Sequence, residues 1–154
     1  TPIQAYYFSS SNSYTESSLN VFNEYQEYLT IVESPFDQYN THTIEIPKQE
    51  FCTKLDIQCN EITITNIVKD KSNRISSITI NNKVFKGTEL RKLLSLRSTD
   101  ITIKQNNNII IITTNGYGHG VGMSQYGANY LAKQGYTYKE ILNYYYQDIK
   151  IDSI

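Results

Sequence analysis

Five of the chain's seven glycines fall within TTNGYGHGVGMSQYGA, residues 113–128, at positions 116, 118, 120, 122 and 127. Glycine at every second position weakens an ordinary strand or helix and marks a place where backbone is approached closely. If residues 115–122 are extended, Gly116, Gly118, Gly120 and Gly122 share one face, and Tyr117, His119 and Val121 the other. The glycine face then presents bare backbone to a ligand or to another segment of the chain. Met123 and Ser124 start a helix whose free N–H groups favour negative charge nearby.

Such a stretch suits a cleft floor, with backbone donors, one imidazole and polar groups from Ser124 and Gln125. Two common glycine-rich motifs do not fit it. GYGHGVG lacks the dinucleotide-binding spacing, and no lysine follows to cradle phosphates. A plain structural role, in which the glycines permit a twisted strand and His119 is a hydrogen-bonded core residue, explains the segment equally well.

The remaining pattern reads as a mixed α+β domain. Strand-like runs cover residues 2–8, 43–46, 61–68, 74–80, 83–87, 101–104 and 108–114, the last two forming a hairpin around an Asn-rich turn. A polar loop occupies 9–18, and YLTIV (28–32) is extended. Pro47 opens a short helix over 47–56, and Thr88 caps another over 88–96, with Leu90, Leu93 and Leu94 on one face. Two helices close the chain: about 124–133, ending at Gly135, and one from Thr137, where Thr137 and Glu140 have capping-box spacing.

A length of 154 residues is enough to bury a core. The net charge of −1 gives no footprint for nucleic acid. Cys52 and Cys59 either pair in an oxidising setting or remain two buried free thiols, the simpler expectation. With His42 and His119 as the only histidines, a zinc site wholly inside the chain is not expected. No signal peptide or apolar run of spanning length occurs. The abrupt opening, TPIQAYYFSS, reads as a buried strand and suggests a chain cut from something longer.

Several blocks together resemble the stage II sporulation protein D family. They are GHGVGMSQYGA followed by GYTYKEILNYYY, then VFKGTELRKLLSLRSTDITI, and finally TPIQAYYFSSSNSYTESSLNVF with YLTIVESPFD. They occur in the family's order and span nearly the whole chain. The resemblance implies the C-terminal portion, residues 1–154, of a peptidoglycan-acting protein. The expected fold is α+β: a mixed, largely antiparallel sheet with short helices and two C-terminal helices, forming one part of a two-lobed cleft protein.

The implied activity is lytic transglycosylation of glycan strands stripped of stem peptides during spore engulfment. The alternative is a non-catalytic wall-binding or amidase-enhancer module. The family's catalytic glutamate lies in an upstream Pro-Ser-Glu-Met segment that this chain lacks, so no catalytic acid is expected here. His119, Ser124, Gln125, Tyr117, Gly118, Gly120, Ser9 and Thr15 are the residues that the resemblance implies for substrate binding or catalytic support.

Within the Ser/Thr loop, Glu16 is expected to be a solvated carboxylate, and Tyr14 stands where the family usually has glycine. Arg97 is expected to hold a buried carboxylate or carbonyl. The tyrosines at 126, 130, 136, 138 and 144–146 are expected mainly in core packing. Some members carry a Cys/His-rich metal-binding stretch upstream; Cys52 and Cys59 lie outside it, so no zinc ligand is carried over. No cofactor is required, and zinc in the intact protein stays an open alternative that this chain does not support. The implied partners are glycan strands, the upstream half of the same protein, and an amidase and a membrane protein of the engulfment machinery. The implied location is extracytoplasmic, with a membrane anchor upstream.

Overall fold

The computed structural model describes residues 1–37 and 40–152. In chain order the elements are β1 (Tyr7–Phe8), β2 (Ser13–Tyr14), α1 (Ser18–Phe22), β3 (Glu33–Ser34), β4 (Thr41–Pro47), α2 (Lys48–Leu55), β5 (Ile64–Lys69) and β6 (Ile75–Ile80). There follow β7 (Lys83–Lys86), α3 (Gly87–Leu94), β8 (Asp100–Asn106), β9 (Ile109–Asn115), β10 (Met123–Ser124), α4 (Gln125–Lys133) and α5 (Tyr138–Tyr145). The class is mixed α+β, with short helices and small, mostly antiparallel sheets. The chain divides into two compact units, one of Thr1–Asn40 and Gly116–Ile154, the other of Thr41–Asn115.

In the second unit, β4, β9 and β8 form one antiparallel sheet and β5, β6 and β7 another. The strand period of two puts Ile110 and Ile112 of β9, and Ile78 and Ile80 of β6, on buried faces. Phe51 and Leu55 of α2 and Leu90 and Leu94 of α3 complete that core. Leu93 is partly exposed, so the apolar stripe of α3 is narrower than its three leucines predict. No side chain caps α3, and Lys86 rather than Thr88 holds its N-cap position. Pro47 ends β4 and caps α2 without entering it; a residue without an N–H suits a strand end as well as a helix start.

Cys52 and Cys59 are disulfide-bonded, which corrects the expectation of free thiols. The sequence does not show the chain reversal that joins them. Asp56, in left-handed conformation, ends α2 and turns the backbone so that Cys59 returns to 5.6 Å from Cys52, Cα to Cα.

In the first unit only Tyr7–Phe8 of the expected first strand is a strand. It pairs in parallel with Met123–Ser124. The N-terminal residues before it are largely exposed rather than buried. β2 pairs with β3, and the core is built from Leu29, Val121, Leu131, Ile141, Tyr145 and Tyr146. Gly135 has φ +96° just past α4, and the Thr137–Glu140 capping box of α5 is formed in both directions. Asn40 and Gly116 are joined by a main-chain hydrogen bond of 3.0 Å, next to the Thr41–Asn115 register pair that opens the second unit.

Candidate functional site

Residues 116–122 are not an extended strand. Gly116, Gly118, Gly120 and Gly122 all have positive φ, between 82° and 111°, so the stretch winds and makes only isolated bridges, Ser10 with Tyr117 and Glu16 with Val121. The bare backbone is covered by the chain's own N-terminal segment. A Cβ on Gly122 would lie 2.0 Å from the carbonyl oxygen of Tyr6, and one on Gly116 would lie 2.9 Å from that of Ser10. Glycine is needed here for close approach of protein to protein.

His119 sits at the middle of this loop, half-buried. Its Nδ1 accepts the N–H of Val121 at 2.9 Å, so a neutral ring carries its proton on Nε2. Phe22 meets the ring at 5.6 Å, Phe8 at 6.0 Å and Tyr6 edge-on at 6.1 Å between centroids. Beside it the Glu16 N–H donates to the Gly120 carbonyl at 2.7 Å.

The other sequence-derived residues divide between surface and interior. Tyr117 and Gln125 are exposed, and Ser9 and Gly118 are half-buried. Ser9 accepts the N–H of Tyr126 through its carbonyl at 3.1 Å, and Tyr117 exchanges two main-chain hydrogen bonds with Ser10, so these residues gather around one edge of the loop. Thr15 is fully buried and stands apart from them: its hydroxyl donates to Thr30 and accepts from Val32. Gly120 is buried.

Ser124 is also fully buried. Its hydroxyl donates to Asp37 and accepts the Gly127 N–H at 3.0 Å, which caps α4.

Glu16 is only 2% exposed, which corrects the expectation of a solvated carboxylate. Its Oε1 accepts from the N–H of Ser17 at 2.8 Å and from the Asn20 amide at 3.0 Å, so it turns back onto the start of α1. At the position next to the replaced glycine, Ser13 takes φ 88°, and Tyr14 is left half-buried in its pair with Glu33. The tyrosines split. Tyr145 and Tyr146 are core residues, whereas Tyr126, Tyr130, Tyr136 and Tyr138 are exposed. Arg91, in the same block as Arg97, donates Nε to the Leu96 carbonyl.

The sequence reading assigned no role to Asp37, Ser34, Ser11 or Tyr145, which form one polar network. Asp37 accepts the Ser11 N–H at 2.5 Å and the Ser34 hydroxyl at 2.8 Å, and Ser34 meets the Tyr145 phenol at 2.8 Å. Burial raises the Tyr145 pKa well above the tyrosine norm; the charges of Asp37 and Tyr144 push the same way, and its Ser34 hydrogen bond opposes them. The YLTIVESPFD block holds Ser34 and Asp37 three residues apart, but their partners Ser11, Ser124 and Tyr145 come from distant segments, so nothing local in the sequence announced the network. Among the described residues no group of three or more His, Cys, Asp and Glu side chains stands together to hold a metal ion.

No family model matches the chain. Among curated proteins, it is 41% identical over 157 residues to stage II sporulation protein D of Bacillus amyloliquefaciens, covering 97% of this chain and 45% of that protein. It is 38% identical to the protein of the same name from Bacillus subtilis (strain 168), with the same coverage of both. An amidase enhancer of Bacillus subtilis (strain 168) is 28% identical over 210 residues, covering 98% of this chain and 30% of that protein. The chain therefore spans a little under half the length of the first two relatives.

Proposed function

The chain belongs to the stage II sporulation protein D family, and on that premise we propose that it is the C-terminal part of a peptidoglycan lytic transglycosylase. It acts in sporulation on glycan strands stripped of stem peptides. The acid of such an enzyme protonates the glycosidic oxygen as its bond to the anomeric carbon breaks. The sugar's own 6-hydroxyl closes onto that carbon and gives its proton to the resulting carboxylate, so one group suffices. The acid comes from outside this chain. This chain supplies one side of the cleft, where His119 donates from Nε2 to a sugar oxygen or to the acid, with Tyr117, Gln125 and Ser9 at the same edge. Ser124, Thr15 and Gly120 act from the interior by shaping that edge.

One observation supports this reading most: the glycine loop is braced from behind by its own protein, with His119 at its middle. That is how a first contact with substrate is pre-organised on a fixed backbone. The disulfide in the second unit fits a protein that works outside the cytoplasm. Among the described residues no helix is long and apolar enough to cross a membrane, and the proposed anchor belongs upstream. The proposed partners are the upstream half and the amidase and membrane protein of the engulfment machinery. The amidase-enhancer relative favours a second reading, a wall-binding module that stimulates an amidase without cutting glycan.

Digestion of stem-peptide-free glycan strands, read by mass spectrometry, separates the two. Anhydro-sugar ends from the intact protein, and none from this chain alone, support the transglycosylase. An absence of cleavage from both, with amidase stimulation retained, moves the assignment to the enhancer. Anhydro ends from this chain alone would place the acid within it and direct attention to Glu16 and His119.

A further inference from the structure

We propose that Asp37 is a positioning residue: one of its carboxylate oxygens ties down both ends of the 116–124 loop and so sets where the His119 ring stands. The role in cleavage rests on the preceding functional reading; the role in positioning stands on geometry alone.

Oδ2 of Asp37 accepts two donors. One is the N–H of Ser11, whose neighbour Ser10 pairs with Tyr117 through two main-chain hydrogen bonds of 3.1 and 2.8 Å, at the start of the loop. The other is the hydroxyl of Ser124, the last residue of the loop and the N-cap of α4. Oδ1 accepts the Ser34 hydroxyl. Ser34 has a single proton and gives it to Asp37, so Tyr145 must donate to Ser34. The order of donation is Tyr145 to Ser34 to Asp37.

Between its two tied ends the loop carries glycines at 118, 120 and 122, all at positive φ. Glycine there leaves many backbone conformations open, so the loop depends on its anchors for a single shape. Packing holds the back of the loop, where Gly120, Val121 and Gly122 are buried, but Gly118 and His119 are half-buried, so the ties at the two ends add to what fixes the ring.

The hydrogen-bond directions make the proposal specific. An asparagine at 37 keeps an acceptor oxygen at the Oδ2 position for Ser11 and Ser124. Its NH2 then donates to Ser34, and Ser34 turns to donate to Tyr145. Alanine loses both ties. A role based on the negative charge or on proton transfer would instead be lost equally in both variants.

The test uses the intact protein with its histidine side chains labelled with 15N, reading the His119 imidazole resonances by NMR alongside glycan-strand cleavage. Asp37→Ala is expected to move the His119 resonances and to lower cleavage by roughly 100-fold, the scale of a misplacement of about 1 Å. Asp37→Asn is expected to leave those resonances near wild type. His119 resonances unmoved in Asp37→Ala overturn the proposal, as do resonances displaced equally in both variants.

If Asp37→Ala does not fold, Ser124→Ala releases one end alone at a cost of about 1 kcal/mol in capping. Unshifted His119 resonances in that variant also overturn the proposal. If the wild-type protein cuts no glycan, the enzymatic reading fails while the resonances still decide the positioning.

Discussion

Tyr146, just past the end of α5, donates its phenol to the main-chain carbonyl of Tyr6 at 2.5 Å, across 140 residues of sequence. The same carbonyl accepts the N–H of Met123, and Gly122 lies against it so closely that no side chain fits. The end of the chain, its beginning and the glycine loop thus meet at one oxygen.

Gly122→Ala therefore meets two obstacles, a left-handed backbone at φ +86° and a backbone atom 2.0 Å from the new Cβ. The strain of φ alone is about 1 kcal/mol or more, and the clash adds to it. Loss of more than about 2 kcal/mol in denaturant unfolding is expected. Gly135→Ala, with open space around it and only the φ cost, is expected to lose less.

Tyr146 also makes stability depend on alkaline pH. Burial pushes its pKa up to about 12, with a main-chain hydrogen bond at Met123 opposing the shift. A folded-state pKa above the unfolded value of about 10 contributes stability that is complete below pH 10 and lost as pH rises toward 12. Buried Tyr145 acts in the same direction. Unfolding free energy measured between pH 9 and 12 should fall, and Tyr146→Phe should flatten the slope.

The disulfide closes a short loop, with the two cysteines seven residues apart. Chain-entropy arithmetic for a loop of that size gives about 2.5 kcal/mol. Thermal melts with and without reductant, and of a Cys52→Ala/Cys59→Ala variant, should show destabilisation of that order.

How far the sequence announced this architecture depends on where the partners of each residue lie. The β8–β9 hairpin, the Gly135 stop and the Thr137–Glu140 box were legible because each is a local matter of a few residues. The winding of the loop at 116–122 was not. Alternating glycine and larger residues looks like a strand until Tyr6 and Ser10 are seen to occupy the glycine side. Glu16 was misjudged in exposure, since its burial at 2% beside Gly120 and Val121 brings together segments far apart in sequence. Asp37 was visible as a letter in a block, but its meaning required Ser11, Ser34 and Ser124 to be brought around it.

His119→Ala is expected to leave the fold in place, because the ring is half-buried and its Nδ1 bond is local. Cleavage or binding of stripped glycan strands should fall by about 10-fold or more. An intact melting curve with unchanged glycan activity would return His119 to a structural role.

Strand edges give a further expectation. Ile67 and Val68 of β5 and Val84 of β7 are each more than half exposed on edge strands of one sheet. Exposed apolar edges favour pairing between copies. The isolated chain should self-associate in sedimentation velocity, and charged residues at 67 and 84 should shift it toward monomer.

The hydrogen bond between Asn40 and Gly116 has a consequence for the folding of the first unit. The chain leaves the first unit after Asn40 and returns to it at Gly116, and the hydrogen bond between these two residues closes the first unit on itself. No strand or helix of the first unit is interrupted by this excursion, since β4 begins at Thr41 and β9 ends at Asn115. A chain in which a short linker joins 40 to 116 is expected to fold without residues 41–115, as circular dichroism and a thermal melt would show.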